Sequence, residues 1–106
     1  MGELTSPGVV VAVLTYQRPE DLAEVLPALV VQAQTLAPPA QVLVVDNDPD
    51  GSAAKVVERF GSALVACVHE PRPGIAAARN RALRECDREL LVFIDDDERP
   101  SETWLR

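Results

Sequence analysis

The 106-residue chain, 47% hydrophobic and 25% charged, has the length and apolar content of one small domain with one core. A formal charge of -7 excludes nucleic acid and anionic membrane surfaces as expected partners, since both call for a basic face. With aromatics at 4%, the core must be filled by Val, Leu, Ile and Ala.

The N-terminal residues 1–8 carry no Lys or Arg and read as a tail before a domain over 9–106. The apolar run after them is too short for a signal sequence or a membrane span. That run, 9–14, is apolar at every position and rich in valine, the pattern of a strand buried on both faces of a parallel sheet. Pro19 with Glu20 and Asp21 then predicts a helix start, because a first-turn proline loses no hydrogen bond and acids suit the positive dipole end. Leu22, Val25, Leu26, Leu29 and Ala33 share one helical face. Pro27 falls inside this helix and should kink it. A second strand is expected over 41–45, stopping at Asp46-Asn47-Asp48-Pro49. A short helix over 52–60 follows, with Asp50 or Ser52 as its cap.

A third strand is expected over 63–68, and Pro71-Arg72-Pro73-Gly74 makes a stiff turn into a helix over 75–86. The fourth strand, 90–94, is again apolar on both faces and runs into Asp95-Asp96-Asp97. Ser101 is placed to cap a further element with Trp104 and Leu105. Cys67 and Cys86 match no zinc spacing and are too few for a disulfide scaffold, so free thiols in a reduced cytoplasm are expected.

Strand–helix alternation of this kind predicts an open, mostly parallel sheet with helices on both faces. Ligands of such sheets sit at the carboxyl ends of the strands. Polar residues gather there: Thr15, Tyr16, Gln17 and Arg18 after the first strand, Asp46 and Asn47 after the second, the three aspartates after the fourth. In an extended chain Asp95 and Asp97 face one side, about 6–7 Å apart, and repel by roughly 2–3 kcal/mol at an effective dielectric of 20. A hard divalent cation bridging to a diphosphate removes that repulsion. Arg79 and Asn80 lie one turn inside the third helix, whose N-terminal N–H groups suit an anion. His69, the single histidine, reads as a partly exposed loop residue. The absence of GxxxxGK[ST] and of GxGxxG argues against P-loop and dinucleotide-binding domains. A phosphoacceptor domain would want acids at the ends of the first and third strands, which carry Thr15-Tyr16 and His69-Glu70 instead.

Four segments together resemble family 2 glycosyltransferases of the GT-A fold. They are the opening 11–19 (VAVLTYQRP), Val44-Val45-Asp46-Asn47, the stretch 74–80 (GIAAARN), and Phe93-Ile94-Asp95-Asp96-Asp97. The resemblance implies a strand order of 3-2-1-4 and a nucleoside-diphosphate sugar as ligand, with a UDP-sugar as the family default. It assigns Thr15, Tyr16 and Asp46 to the base, with Arg18 and Asn47 beside them, and Arg79 to base or phosphates. Asp95 and Asp96 would lie near ribose and sugar, with Asp97, helped by Asp95, holding Mn²⁺ or Mg²⁺. The implied reaction moves a sugar to an acceptor hydroxyl with inversion. Family members continue past the aspartates into an acceptor-binding half that supplies the general base. The expectation is therefore a donor-binding half, inactive alone, or alternatively a non-catalytic nucleotide- and metal-binding module. A fourth strand left at the sheet edge would invite homodimerisation.

Overall fold

The computed structural model describes residues 8–96. A doubly apolar strand is buried only in the middle of a layered α/β unit, which is the position of the first apolar run, while the fourth lies at the sheet edge. In chain order the elements are β1 (Val9–Thr15), α1 (Pro19–Gln34), β2 (Gln41–Asp46), α2 (Ala53–Phe60), β3 (Val65–His69), α3 (Ile75–Glu85) and β4 (Leu90–Asp95). All pairings are parallel, and the order is β3-β2-β1-β4, as expected.

Side-chain parity divides the core in two. Val9, Val11 and Val13 of β1, with Val42 and Val44 of β2, meet Leu22, Val25, Leu26 and Leu29 of α1 and Ala53 of α2. Val10 and Ala12, with Leu43 and Val45, meet Ala78 and Ala82 of α3 on the other face. Alanines at the α3 contact let that helix sit close on the sheet. The strands with both faces covered, β1 and β2, are buried almost throughout, whereas β4 is buried only at Ile94.

One local expectation is revised. Pro27 lies inside α1, as expected, on an exposed position where water can take the carbonyl its missing N–H leaves free. Neither Asp50 nor Ser52 caps α2 through its side chain. Ala53 N–H donates instead to the Asp46 carboxylate at 2.9 Å, and the Ser52 hydroxyl donates to Asp48 at 2.6 Å. α2 ends at Gly61, whose φ of 71° is the left-handed closure that glycine allows. The element expected around Ser101, Trp104 and Leu105 lies outside the described residues.

Candidate functional site

The strand register brings the polar ends level. Thr15 pairs with Asp46, Asp46 with His69, and Leu14 with Asp95, so the residue after Asp95 comes level with Thr15. The Thr15 hydroxyl donates to the Asp96 carboxylate at 2.8 Å, tying the ends of β1 and β4 together. Both residues are buried, while Asp95 beside them is exposed. Leu14, Thr15, Tyr16, Arg18, Asn47, Asp95 and Asp96 line one cleft of about 290 Å³, closed on its far side by Ile75 and Ala78 of α3. Six of the predicted ligand-contacting residues thus share a wall.

Tyr16 is half exposed and separates this cleft from a second cavity of about 300 Å³, lined also by Asn47, Pro49, Pro71, Pro73, Gly74 and Ile75. An apolar slot beside an acidic cleft, with one aromatic ring lining both, suits a ligand that is flat at one end and cationic, or anionic with a bridging divalent cation, at the other. Gln17, just after Tyr16, has φ 53°, an uncommon value for a residue with a Cβ, and its amide donates to Asp48 at 3.4 Å.

Two predicted residues stand elsewhere. Asp46 has the same parity as Val42 and Val44, so its carboxylate turns toward α2 and is buried. There it accepts the N–H groups of Asp48 and Ala53, both at 2.9 Å. Its place is at the frame of the site, behind the cleft wall. Arg79 is exposed on α3, with its guanidinium 5.7 Å from the Phe93 ring centroid, and does not line the cleft. Asp97 lies outside the described residues, and among those described no cluster of three or more His, Cys, Asp or Glu side chains is placed to hold a metal. The oxygen donors present, Asp95 and Asp96 on one cleft, are of the type Mg²⁺ and Mn²⁺ take when phosphate and water complete the shell.

Asn47 lines the cleft but spends its amide on backbone. Its Nδ2 donates to the carbonyls of Glu70 and Arg72 at 2.9 and 2.7 Å, and its Oδ1 accepts Gly74 N–H at 3.1 Å. His69 is exposed, as expected, but it is the last residue of β3 rather than a loop residue, and its Nε2 meets the Asp48 carbonyl at 2.6 Å. A carbonyl only accepts, so the proton sits on Nε2.

Sequence reasoning passed over Asp48 and Glu70, both buried carboxylates. Asp48 is held below its ordinary value, chiefly by the Ser52 hydroxyl and then the Asp50 N–H, against the opposing effect of burial. Glu70 is lowered foremost by Arg72 N–H, opposed by burial and assisted by the charges of Arg72, Arg81 and Arg84. Glu70 shares the parity of Ala66 and Val68, which turns it toward α3 and the arginines there, but that facing is visible only in the fold. The two cysteines are free and partly buried, and burial foremost, with Asp46 nearby, pushes the Cys67 thiol up to about 11.

Comparison with known proteins bears on the sequence and the fold. The family model for glycosyl transferase family 2 covers residues 10–106. The chain is 38% identical over 98 residues to the succinoglycan biosynthesis protein ExoM of Rhizobium meliloti, covering 90% of this chain and 31% of that protein. Its fold is similar to mannosyltransferase PcManGT from Pyrobaculum calidifontis, solved with GDP-Man and Mn²⁺, with TM-score 0.77 and 29% identity over 96% of this chain and 33% of the other. It is also similar, in fold alone, to S. aureus TarS 1-349, with TM-score 0.75 and 22% identity over 90% of this chain and 29% of that one. The chain therefore spans about a third of the length of these relatives.

Proposed function

Because the chain belongs to glycosyl transferase family 2, we propose that it forms the donor-binding part of an enzyme that transfers a sugar from a nucleoside diphosphate to an acceptor hydroxyl, with inversion. The observation that carries this reading is the cleft where the Thr15–Asp96 hydrogen bond joins two strand ends, with Asp95 beside it and the Tyr16 ring at its edge. The nucleoside lies against Tyr16, and the diphosphate runs toward Asp95, Asp96 and the first turn of α3. Free N–H groups in that turn suit anionic oxygens. Arg79, exposed on the same helix, is assigned to the outer phosphate side.

Asp95 and Asp96, joined by Asp97, are the residues that would hold Mn²⁺ or Mg²⁺. An ion held there would supply positive charge against the departing nucleoside diphosphate. The protein's own contribution is to fix the two carboxylates: Thr15 orients Asp96, and Asp46 ties the end of β2 to α2 behind the wall. Asp46 is thereby moved from base contact to support. In the family's organisation the general base belongs to the acceptor-binding half, so these 106 residues are proposed to bind donor without transferring it. The β4 edge, with Leu90 and Phe93 exposed, is the proposed surface for self-association. No described helix is long and apolar enough to cross a membrane.

The test is a calorimetric titration of UDP, GDP and dTDP with and without Mn²⁺. Binding of one of them should depend on the metal, and Asp95→Ala should weaken it about tenfold or more, the scale of a lost charge-assisted contact. Since Asp95 is exposed, the unfolding midpoint should stay near that of the parent chain. Binding that survives chelation unchanged, or no binding of any of the three, would sink the reading.

A further inference from the structure

Glu70 follows β3, extends its pairing by donating N–H to the Asp46 carbonyl at 2.8 Å, and carries a carboxylate only 3% exposed. A buried charge is costly unless it is paired and hydrogen-bonded, and here three cations converge on it. Arg72 Nε lies 3.5 Å away, Arg81 Nη1 3.7 Å and Arg84 Nη2 3.3 Å, while Arg72 N–H donates to it at 3.0 Å. Arg81 also donates to the His69 carbonyl at 2.8 Å.

These partners come from two different places. Arg72 belongs to the turn over 70–74, and Arg81 and Arg84 to the body of α3, so one carboxylate joins the turn to the helix it feeds. Asn47 grips the same turn from the β2 side through its three backbone hydrogen bonds. Pro71 and Pro73 fix two φ angles within it. The turn ends at Gly74, where φ of 106° requires glycine, and at Ile75, the start of α3. Gly74 and Ile75 line the apolar slot together with Tyr16, and Ile75 also lines the acidic cleft. Arg72 and Arg84 are more than half exposed, so their ion pairs add little to stability by themselves. Their geometry instead fixes where one wall of the slot stands.

We propose that Glu70 is a positioning residue for donor recognition: by joining Arg72 to Arg81 and Arg84 it holds the 70–74 turn and the start of α3 at a set distance from Tyr16. The width of the slot beside Tyr16, and so the fit of a flat nucleoside, depends on this carboxylate although it touches no ligand. The proposal rests on the reading above that the nucleoside lies against Tyr16.

Two variants of the whole chain test it. Glu70→Gln keeps an acceptor for Arg72 N–H and loses the charge, and Arg84→Met removes one half-exposed partner and leaves Glu70 in place. Nuclear magnetic resonance reads the Gly74 amide and the ring of Tyr16, the single tyrosine, without nucleotide. Calorimetry reads GDP and UDP binding with Mn²⁺. Expected are displaced Gly74 and Tyr16 signals in both variants, faster exchange of the Gly74 amide, and about tenfold weaker nucleotide binding in Glu70→Gln, the scale of a lost charged hydrogen bond. Unchanged Gly74 and Tyr16 signals in both variants overturn the proposal, as does nucleotide affinity equal to that of the parent chain. If the parent chain binds neither nucleotide, the donor reading falls, while the ligand-free spectra still decide whether Glu70 sets the wall.

Discussion

Acidic residues end both strands that flank β1, and those described do opposite things. Asp46-Asn47-Asp48, after β2, turns inward: Asp46 accepts two backbone N–H groups, Asn47 binds three backbone groups of the next turn, and Asp48 holds Asp50, Ser52 and Gln17. Asp95 and Asp96, after β4, line an open cleft, and Thr15 steadies one of them. The difference follows from what covers each strand. β2 is enclosed between α2 and α3, so its terminal polar groups find backbone partners on both faces, whereas β4 has only β1 beside it among the described residues. On the proposed reading, a carboxylate at a strand end is a scaffold where helices crowd it and a ligand group where they do not.

The sharpest way to break this contrast is Asp46→Ala. Two buried N–H groups, on Asp48 and Ala53, would lose their acceptor, at about 1–3 kcal/mol each. A loss of about 3 kcal/mol or more in urea unfolding is expected, a large share of the roughly 5–15 kcal/mol of a typical domain. Asp46→Asn should recover only part, since an amide accepts through one oxygen. An unfolding midpoint matching the parent chain, with nucleotide binding abolished, would make the β2 end a ligand surface after all. A smaller effect sharpens the other side. Thr15→Val keeps the shape and removes the donor to Asp96, with an expected loss of about 1–2 kcal/mol in the same unfolding measurement. Nucleotide affinity should fall with it, because Asp96 is no longer held. Full affinity in Thr15→Val would separate the hydrogen bond from the site.

Much of the sheet was legible because its evidence is local. The apolar runs at β1 and β4 are too short and too uniformly apolar for amphipathic helices, and the Asp95-Asp96 end follows directly from one of them, although the apolarity of β4 overstated its burial. The family resemblance supplied the strand order, which periodicity alone does not. What escaped was the facing of single residues. Asp46 and Asn47 are adjacent and point to opposite faces, one to α2 and one to the turn before α3. With Val on both faces of β2, no pattern in the sequence tells which face carries which helix. Glu70 escaped for a related reason: Arg81 and Arg84 reach it only once α3 folds back over the sheet, and a contact between residues 14 positions apart has no local signature.

The inward triplet and the Glu70 hub also predict an acid response. Asp48 and Glu70 both titrate below their ordinary values of 3.8 and 4.5 in the folded chain. Between the lowered and the ordinary value the unfolded chain binds protons that the folded chain refuses, so stability falls as pH falls. Their contribution is therefore complete above the ordinary values and is lost as pH drops through the folded ones. Asp48→Asn removes one of the two titrations. Its Ser52, Asp50 and Gln17 partners then face a group whose charge no longer varies with pH. Unfolding measured from pH 6 down to pH 2.5 should show a shallower decline for this variant than for the parent chain, from a lower starting stability. Parallel curves would mean that the Asp48 carboxylate is held no more tightly folded than unfolded, and the division between an inward-bonded β2 end and an open β4 end would lose its electrostatic half.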